Sequence, residues 1–138
     1  MTMRYAAIAF LGALALAQPT AVQAAEILPI AFARGKTSAT VSGVVVRGDR
    51  DIYSIEAKGG QTATVSIVAV EKNAVFALFQ PGASVSDEGD VTGPALPRAG
   101  DGDDARRWSG RLPATGRYLV VVGGTRGNAT YTLTVSLK

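Results

Sequence analysis

Residues 131–137 read Tyr-Thr-Leu-Thr-Val-Ser-Leu, apolar and hydroxyl side chains alternating without a break. A repeat of two residues puts the apolar set on one face of an extended strand and the hydroxyls on the other. The same period runs through most of the chain after residue 25. Ala63, Val65 and Ile67 alternate with Thr62, Thr64 and Ser66, while Tyr53, Ile55 and Ala57 alternate with Ser54 and Glu56. Tyr118, Val120 and Val122 share one face of a further strand. Turn residues punctuate these runs at Arg47-Gly48-Asp49, Gly59-Gly60 and Gly123-Gly-Thr-Arg-Gly-Asn128, and no segment in this part carries a helical period.

Strands are expected at 29–32, 38–46, 51–57, 62–70, 74–79, 106–112, 116–122 and 130–137. About eight antiparallel strands, each with one apolar face, cannot bury those faces in a single open sheet. The expected fold is therefore all-β, a two-sheet antiparallel β-sandwich, with a small closed barrel as the alternative. Residues 82–104 break the rhythm, being rich in Gly, Pro, Ser and Asp with almost no apolar pattern. Asp87, Glu88, Asp90, Asp101, Asp103 and Asp104 stand there against Arg98 alone, a net charge of −5. A flexible acidic loop is expected, since structureless loops above ~15 residues in small domains are usually functional or disordered.

Residues 1–24 have the three-part form of a secretory signal. Arg4 precedes an apolar run over 5–17, and Val22-Gln23-Ala24 offers small residues before a cut at Ala25. Thirteen apolar residues are too few to span a hydrocarbon core needing ~20. The expected product is one domain of residues 25–138, periplasmic or secreted, with no membrane insertion once the signal is removed.

The chain has no cysteine and no histidine. That excludes disulfides, thiol nucleophiles, Cys/His metal sites and a Ser-His-Asp triad. The net charge of +3, or +2 once Arg4 leaves with the signal, is too weak for a nucleic-acid binder. Carboxylate acid–base chemistry needs no histidine, but the acids here cluster in a loop that would hold a catalytic geometry poorly. An enzyme is not expected, and no cofactor or metal is assigned. Asp101-Gly-Asp-Asp104 offers calcium-type oxygen ligands without the ordered spacing of an EF-hand loop.

Several stretches carry a resemblance. Ile30-Ala-Phe-Ala-Arg-Gly-Lys-Thr-Ser-Ala-Thr-Val-Ser-Gly43, Asp49-Arg-Asp-Ile-Tyr53, Ala57-Lys-Gly-Gly-Gln61, Phe79-Gln-Pro-Gly82, Leu112-Pro-Ala-Thr-Gly-Arg-Tyr118 and Thr125-Arg-Gly-Asn128 resemble the bacterial periplasmic inhibitors of g-type lysozyme. The resemblance covers nearly all of 25–138 except the acidic loop. The run around Tyr53 to Gln61, and Leu112 to Tyr118, is also similar to bacterial pre-peptidase C-terminal domains, which are β-sandwich modules.

The first resemblance implies a protein partner, g-type lysozyme, whose peptidoglycan-cleaving groove holds a glutamate acid catalyst. An arginine fork is suited to such a carboxylate, because it donates two charge-assisted hydrogen bonds in one plane. It also implies two contact loops. One carries Arg126, with Thr125 and Asn128 beside it. The other carries Arg50 between Asp49 and Asp51, although Gly48 and Arg50 stand where the family has tyrosines. A further arginine expected just after Arg126 is replaced by Ala129 and Thr130. The second resemblance implies a non-inhibitory carbohydrate- or peptidoglycan-binding module, which would need exposed aromatic side chains. Trp108, sharing a face with Leu112, is expected in the core instead. The acidic loop could steer association with a basic partner, and oligomeric state is open because an edge strand can pair between copies.

Overall fold

The structure is a computed structural model and describes residues 25–138; the expected export segment lies outside the described residues. Ten strands form: β1 (Ile27–Pro29), β2 (Ser38–Val45), β3 (Arg50–Ala57), β4 (Thr62–Ala69), β5 (Ala74–Phe79), β6 (Ser84–Val85), β7 (Val91–Thr92), β8 (Arg107–Arg111), β9 (Gly116–Gly124) and β10 (Ala129–Leu137). Sheet one has the order β1-β3-β9-β5 and sheet two the order β2-β10-β4-β8, with β6-β7 as a separate small hairpin. The two four-stranded sheets pack face to face as the sandwich expected from the alternation.

The main core lies between the sheets. Tyr53, Ile55, Tyr118, Val120 and Val122 come from sheet one and Val65, Ile67, Tyr131, Leu133 and Val135 from sheet two. Sheet two keeps its other face wet. There the hydroxyls of Thr40 and Thr134, Ser42 and Thr132, and Thr64 and Ser109 meet across strands at 3.3, 3.3 and 3.2 Å. Two glycines make room for aromatic rings lying flat on sheet two. A Cβ at Gly43 would sit 2.8 Å from the Tyr131 hydroxyl, and one at Gly110 would sit 2.7 Å from the Trp108 ring.

Two expectations need correction. The first strand is not antiparallel and not at 29–32. Ile27–Pro29 pairs parallel to Ile52–Ser54, and Ile30 then turns its side chain into the main core. Because β1 and β2 belong to different sheets, the chain crosses the sandwich between them, and no hairpin obliges β1 to run antiparallel.

The second correction concerns residues 82–104, which are not without structure. They hold β6 and β7, and residues 94–105 run along the free edge of β5. The amides of Gln80, Leu78 and Phe76 donate to the carbonyls of Pro94, Ala99 and Ala105 at 2.8, 2.8 and 2.9 Å, and Leu96 returns a bond to Leu78 at 2.9 Å. Leu96 and Ala99 are buried in the main core. Ala83, Val85, Val91 and Ala95 cover a second apolar cluster of Ile52, Ala77, Phe79, Leu119 and Val121 on the outer face of sheet one. Central strand β9 is thus buried on both faces, which a continuous apolar run such as Tyr118–Val122 permits. The six acidic side chains of the segment all remain exposed.

Candidate partner-binding loops

Strands β2 and β4 end where β10 begins, and β3 and β5 begin where β9 ends. Three connections therefore meet at one end of the sandwich: the β2–β3 turn, the β4–β5 turn and the β9–β10 loop. Arg126 is exposed in the last of these. Its loop is held from below by Asn73, whose side chain is only 1% exposed. The Asn73 Nδ2 donates to the carbonyls of Arg126 and Asn128 at 2.9 and 3.0 Å, while the Asn73 carbonyl accepts from the Thr125 amide at 2.8 Å. Buried polar groups need partners, and here one amide side chain satisfies two loop carbonyls. Gly127 takes the left-handed conformation, φ 57°, that lets the loop turn back over it.

The Arg126 guanidinium is oriented rather than free. One Nη2 hydrogen goes to the Glu71 carbonyl at 3.0 Å, across the β4–β5 turn. Asn128 joins the second expected loop to the first, its Oδ1 accepting the Arg47 amide at 2.8 Å. The sequence thus separates the two arginine-bearing loops by more than seventy residues, and the fold laces them together. Thr125, Arg126 and Asn128 are exposed, as are Asp49 and Arg50. Val46 and Val70, 51% and 89% exposed, directly follow β2 and β4 and give the rim an apolar character.

Arg50 is the first residue of β3, paired with Gly123 of β9, rather than the tip of the turn. Its guanidinium lies 3.8 Å from the Asp90 carboxylate in the β6–β7 connection, an exposed pair that stabilises by at most about 1 kcal/mol. Between the two segments lies an open cleft of about 620 Å³, rimmed by Asp49, Asp51, Asp87, Glu88 and Asp90 with Arg50 among them. Asp49 sits in the turn, where its amide closes back onto the Val46 carbonyl at 2.9 Å.

Asp51 reaches across the sandwich. It accepts the Tyr131 hydroxyl at 2.6 Å from the opposite sheet, and Tyr131 in turn meets the Tyr53 hydroxyl at 2.6 Å. With its own proton committed to the carboxylate, Tyr131 accepts from Tyr53. Burial, then the bonds to Asp51 and Tyr53, push the Tyr131 phenol far above its ordinary range. This chain of three polar groups locks β3 to β10 directly beneath the candidate loops. The other acidic cluster is not gathered. Asp103 caps the Gly100 amide at 2.8 Å, and among the described residues no three acidic side chains converge on a metal-sized site.

Sequence reasoning missed Asn73, Glu71 and the tyrosine pair. An asparagine just before a strand is an ordinary turn signal, and nothing local shows that it reaches the 126–128 carbonyls. Trp108 and the tyrosines follow the core expectation, while Phe32 is half-buried against the core. Trp108 is 5% exposed with its indole N–H on the Pro97 carbonyl at 2.7 Å, and Tyr53, Tyr118 and Tyr131 are all buried.

No family model matches the chain. An inhibitor of g-type lysozyme from Escherichia coli K12 is 34% identical over 116 residues, covering 84% of this chain and 80% of that protein. The crystal structure of Aeromonas hydrophila PliG, a periplasmic inhibitor of g-type lysozyme, aligns at TM-score 0.63 and 35% identity over 81% of this chain and 96% of its own. The pre-peptidase C-terminal domain of a Bacillus anthracis collagenase aligns at TM-score 0.50 and 16% identity, covering 82% and 95%, which is a likeness of fold alone. The sandwich is shared by both groups, but the sequence identity is shared with one, and the chain belongs to the PliG family of periplasmic lysozyme inhibitors.

Proposed function

We propose that this protein is a periplasmic inhibitor of g-type lysozyme, and that the laced loops at the end of the sandwich are what it presents to the enzyme. The observation that carries this reading is the bracing of Arg126. Its loop is fixed by Asn73, its guanidinium by Glu71, and its neighbour Asn128 by the Arg47 amide. A cation held in place before the partner arrives loses little side-chain entropy on binding, which is where preorganised interfaces gain their affinity. The guanidinium keeps further N–H groups for a carboxylate in the partner's groove. Thr125 and Asn128 flank it, and Val46 and Val70 offer apolar contact at the rim. Arg50 and Asp49 form the neighbouring contact, while Asp51 supports it from beneath.

The non-inhibitory carbohydrate-binding reading gains nothing from Trp108 or the tyrosines. Stacking on sugars needs exposed rings, and Trp108 and the three tyrosines of the described residues are buried. The exposed acidic groups of 87–104 support a steering role, in which association with a basic partner slows as salt rises.

Arg126→Ala tests the site. Removing a charge-assisted contact at the centre of an interface costs about 2 kcal/mol or more, so affinity for a g-type lysozyme should fall at least tenfold by titration calorimetry. Far-ultraviolet circular dichroism should be unchanged, because Asn73 holds the loop through its backbone. Undiminished affinity in the folded variant removes Arg126 from the contact surface.

A further inference from the structure

The outward positions of sheet two change character partway along it. In β2 they run Ser38, Thr40, Ser42 and then Val44, and Val46 continues the alternation just past the strand. In β4 they run Thr62, Thr64, Ser66 and then Val68, with Val70 just past it. Both strands pair antiparallel with β10, which lies between them, so the two changes fall at nearly one level of the sheet. Val44 stands beside Thr130 and Val68 beside Thr132. This is the half nearest the arginine loops, since Thr130 follows Asn128 by two residues. Strand β10 itself keeps hydroxyls outward over its whole length, from Thr130 to Ser136.

The fold does not call for valine there. Threonine has nearly the same shape and also favours strands, and it serves the equivalent outward positions in the other half of β2 and β4. Val44 and Val68 are 57% and 70% exposed, so neither has the burial that makes an apolar side chain favourable. Single exposed apolar residues are ordinary, whereas a contiguous apolar patch with a polar surround marks an interaction surface.

The size of the loop surface points to the occupant. Thr125, Arg126, Asn128, Asp49 and Arg50 are a small part of the ~20–30 residues that each side of a stable interface supplies. A partner seated on them must also cover what adjoins them. Asn128 makes that junction, because its Oδ1 accepts the amide of Arg47, the residue after Val46. The valine patch and the Arg126 surface are therefore continuous.

We propose that this valine half of the outer face is the second part of the lysozyme contact. While Arg126 meets the groove, Val44, Val46, Val68 and Val70 receive apolar side chains on the enzyme's rim beside it. The assignment rests on the inhibitor reading and extends its contact surface from the loops onto a sheet face. Apolar burial supplies affinity there, and the charged loops supply placement.

Titration calorimetry of a purified g-type lysozyme with protein purified from cells expressing the full chain tests this. The double variant Val44→Thr/Val68→Thr extends the outward hydroxyl pattern of each strand, so its circular dichroism and urea midpoint should match the wild type. Its affinity should fall at least about tenfold, because two methyl contacts are lost and two hydroxyls are covered without partners. The heat capacity change of binding should also become less negative, as apolar area leaves the contact. Val68→Thr alone repeats the test at the more exposed position if the pair lowers stability. Thr40→Val, the reverse exchange in the far half, should leave affinity unchanged. Wild-type affinity in the folded valine variants overturns the proposal, and so does an equal loss in Thr40→Val. Binding that Arg126→Ala weakens and the valine exchanges do not would confine the contact to the loops. A wild-type protein that binds no g-type lysozyme refutes the inhibitor reading itself.

Discussion

Tyr131 shows how one side chain couples the core to the loops. Its ring fills the interior over Gly43, and its hydroxyl reaches Asp51 beside the candidate contact surface. The burial and hydrogen bonds that raise its phenol also predict a pH dependence. Above about pH 10 the unfolded tyrosine gives up its proton while the folded one retains it. Stability is therefore fully present below that pH and falls as pH rises, by up to about 1.4 kcal/mol per pH unit. Tyr131→Phe should cost about 2 kcal/mol at neutral pH, since it removes a part-buried, charge-assisted hydrogen bond to Asp51. The gap between the two proteins should narrow between about pH 10 and 12 in urea unfolding. A gap that stays constant over that window contradicts the assignment. The sequence placed Tyr131 correctly on the buried face, but the partner of its hydroxyl lies 80 residues away and leaves no local pattern.

At the scale of elements, legibility tracked how each strand is buried. Strands β4 and β10 have one wet face, and their alternation gave both position and orientation. Strand β9 is buried on both sides, so Leu119 and Val121 read as the outward half of an alternation when they are the floor of a second cluster. The segment that covers this cluster has no strand-like pattern because single residues anchor it, Leu96 and Ala99 among prolines and glycines. Leu96→Ala should therefore destabilise by about 3 kcal/mol in urea unfolding, as a core truncation does and a loop substitution does not. A change under about 0.5 kcal/mol would return the segment to the status of a surface loop. The β4–β5 turn makes a parallel case. Asn73→Ala leaves the Arg126 and Asn128 carbonyls without their donor and should cost about 2 kcal/mol. Lysozyme affinity should fall in the same variant because the arginine loop is released, and a variant that loses stability while keeping full affinity separates the brace from the site.

The whole molecule is a sandwich whose two ends and two outer faces differ in kind. One outer face is a sheet of hydroxyls, and the other is covered by the acidic segment. One end gathers Arg126, Arg50 and their supports, drawn from three connections far apart in the chain. The two arginine loops could be named from sequence because each stands in a family motif. Their adjacency could not, since it depends on the register of β10 against both β2 and β4. Lysis of a peptidoglycan suspension by a g-type lysozyme, titrated with the purified protein beside c-type and i-type enzymes, tests the central claim most directly. The account predicts stoichiometric inhibition of the g-type enzyme alone. Undiminished lysis by the g-type enzyme at several-fold excess of the protein would contradict it.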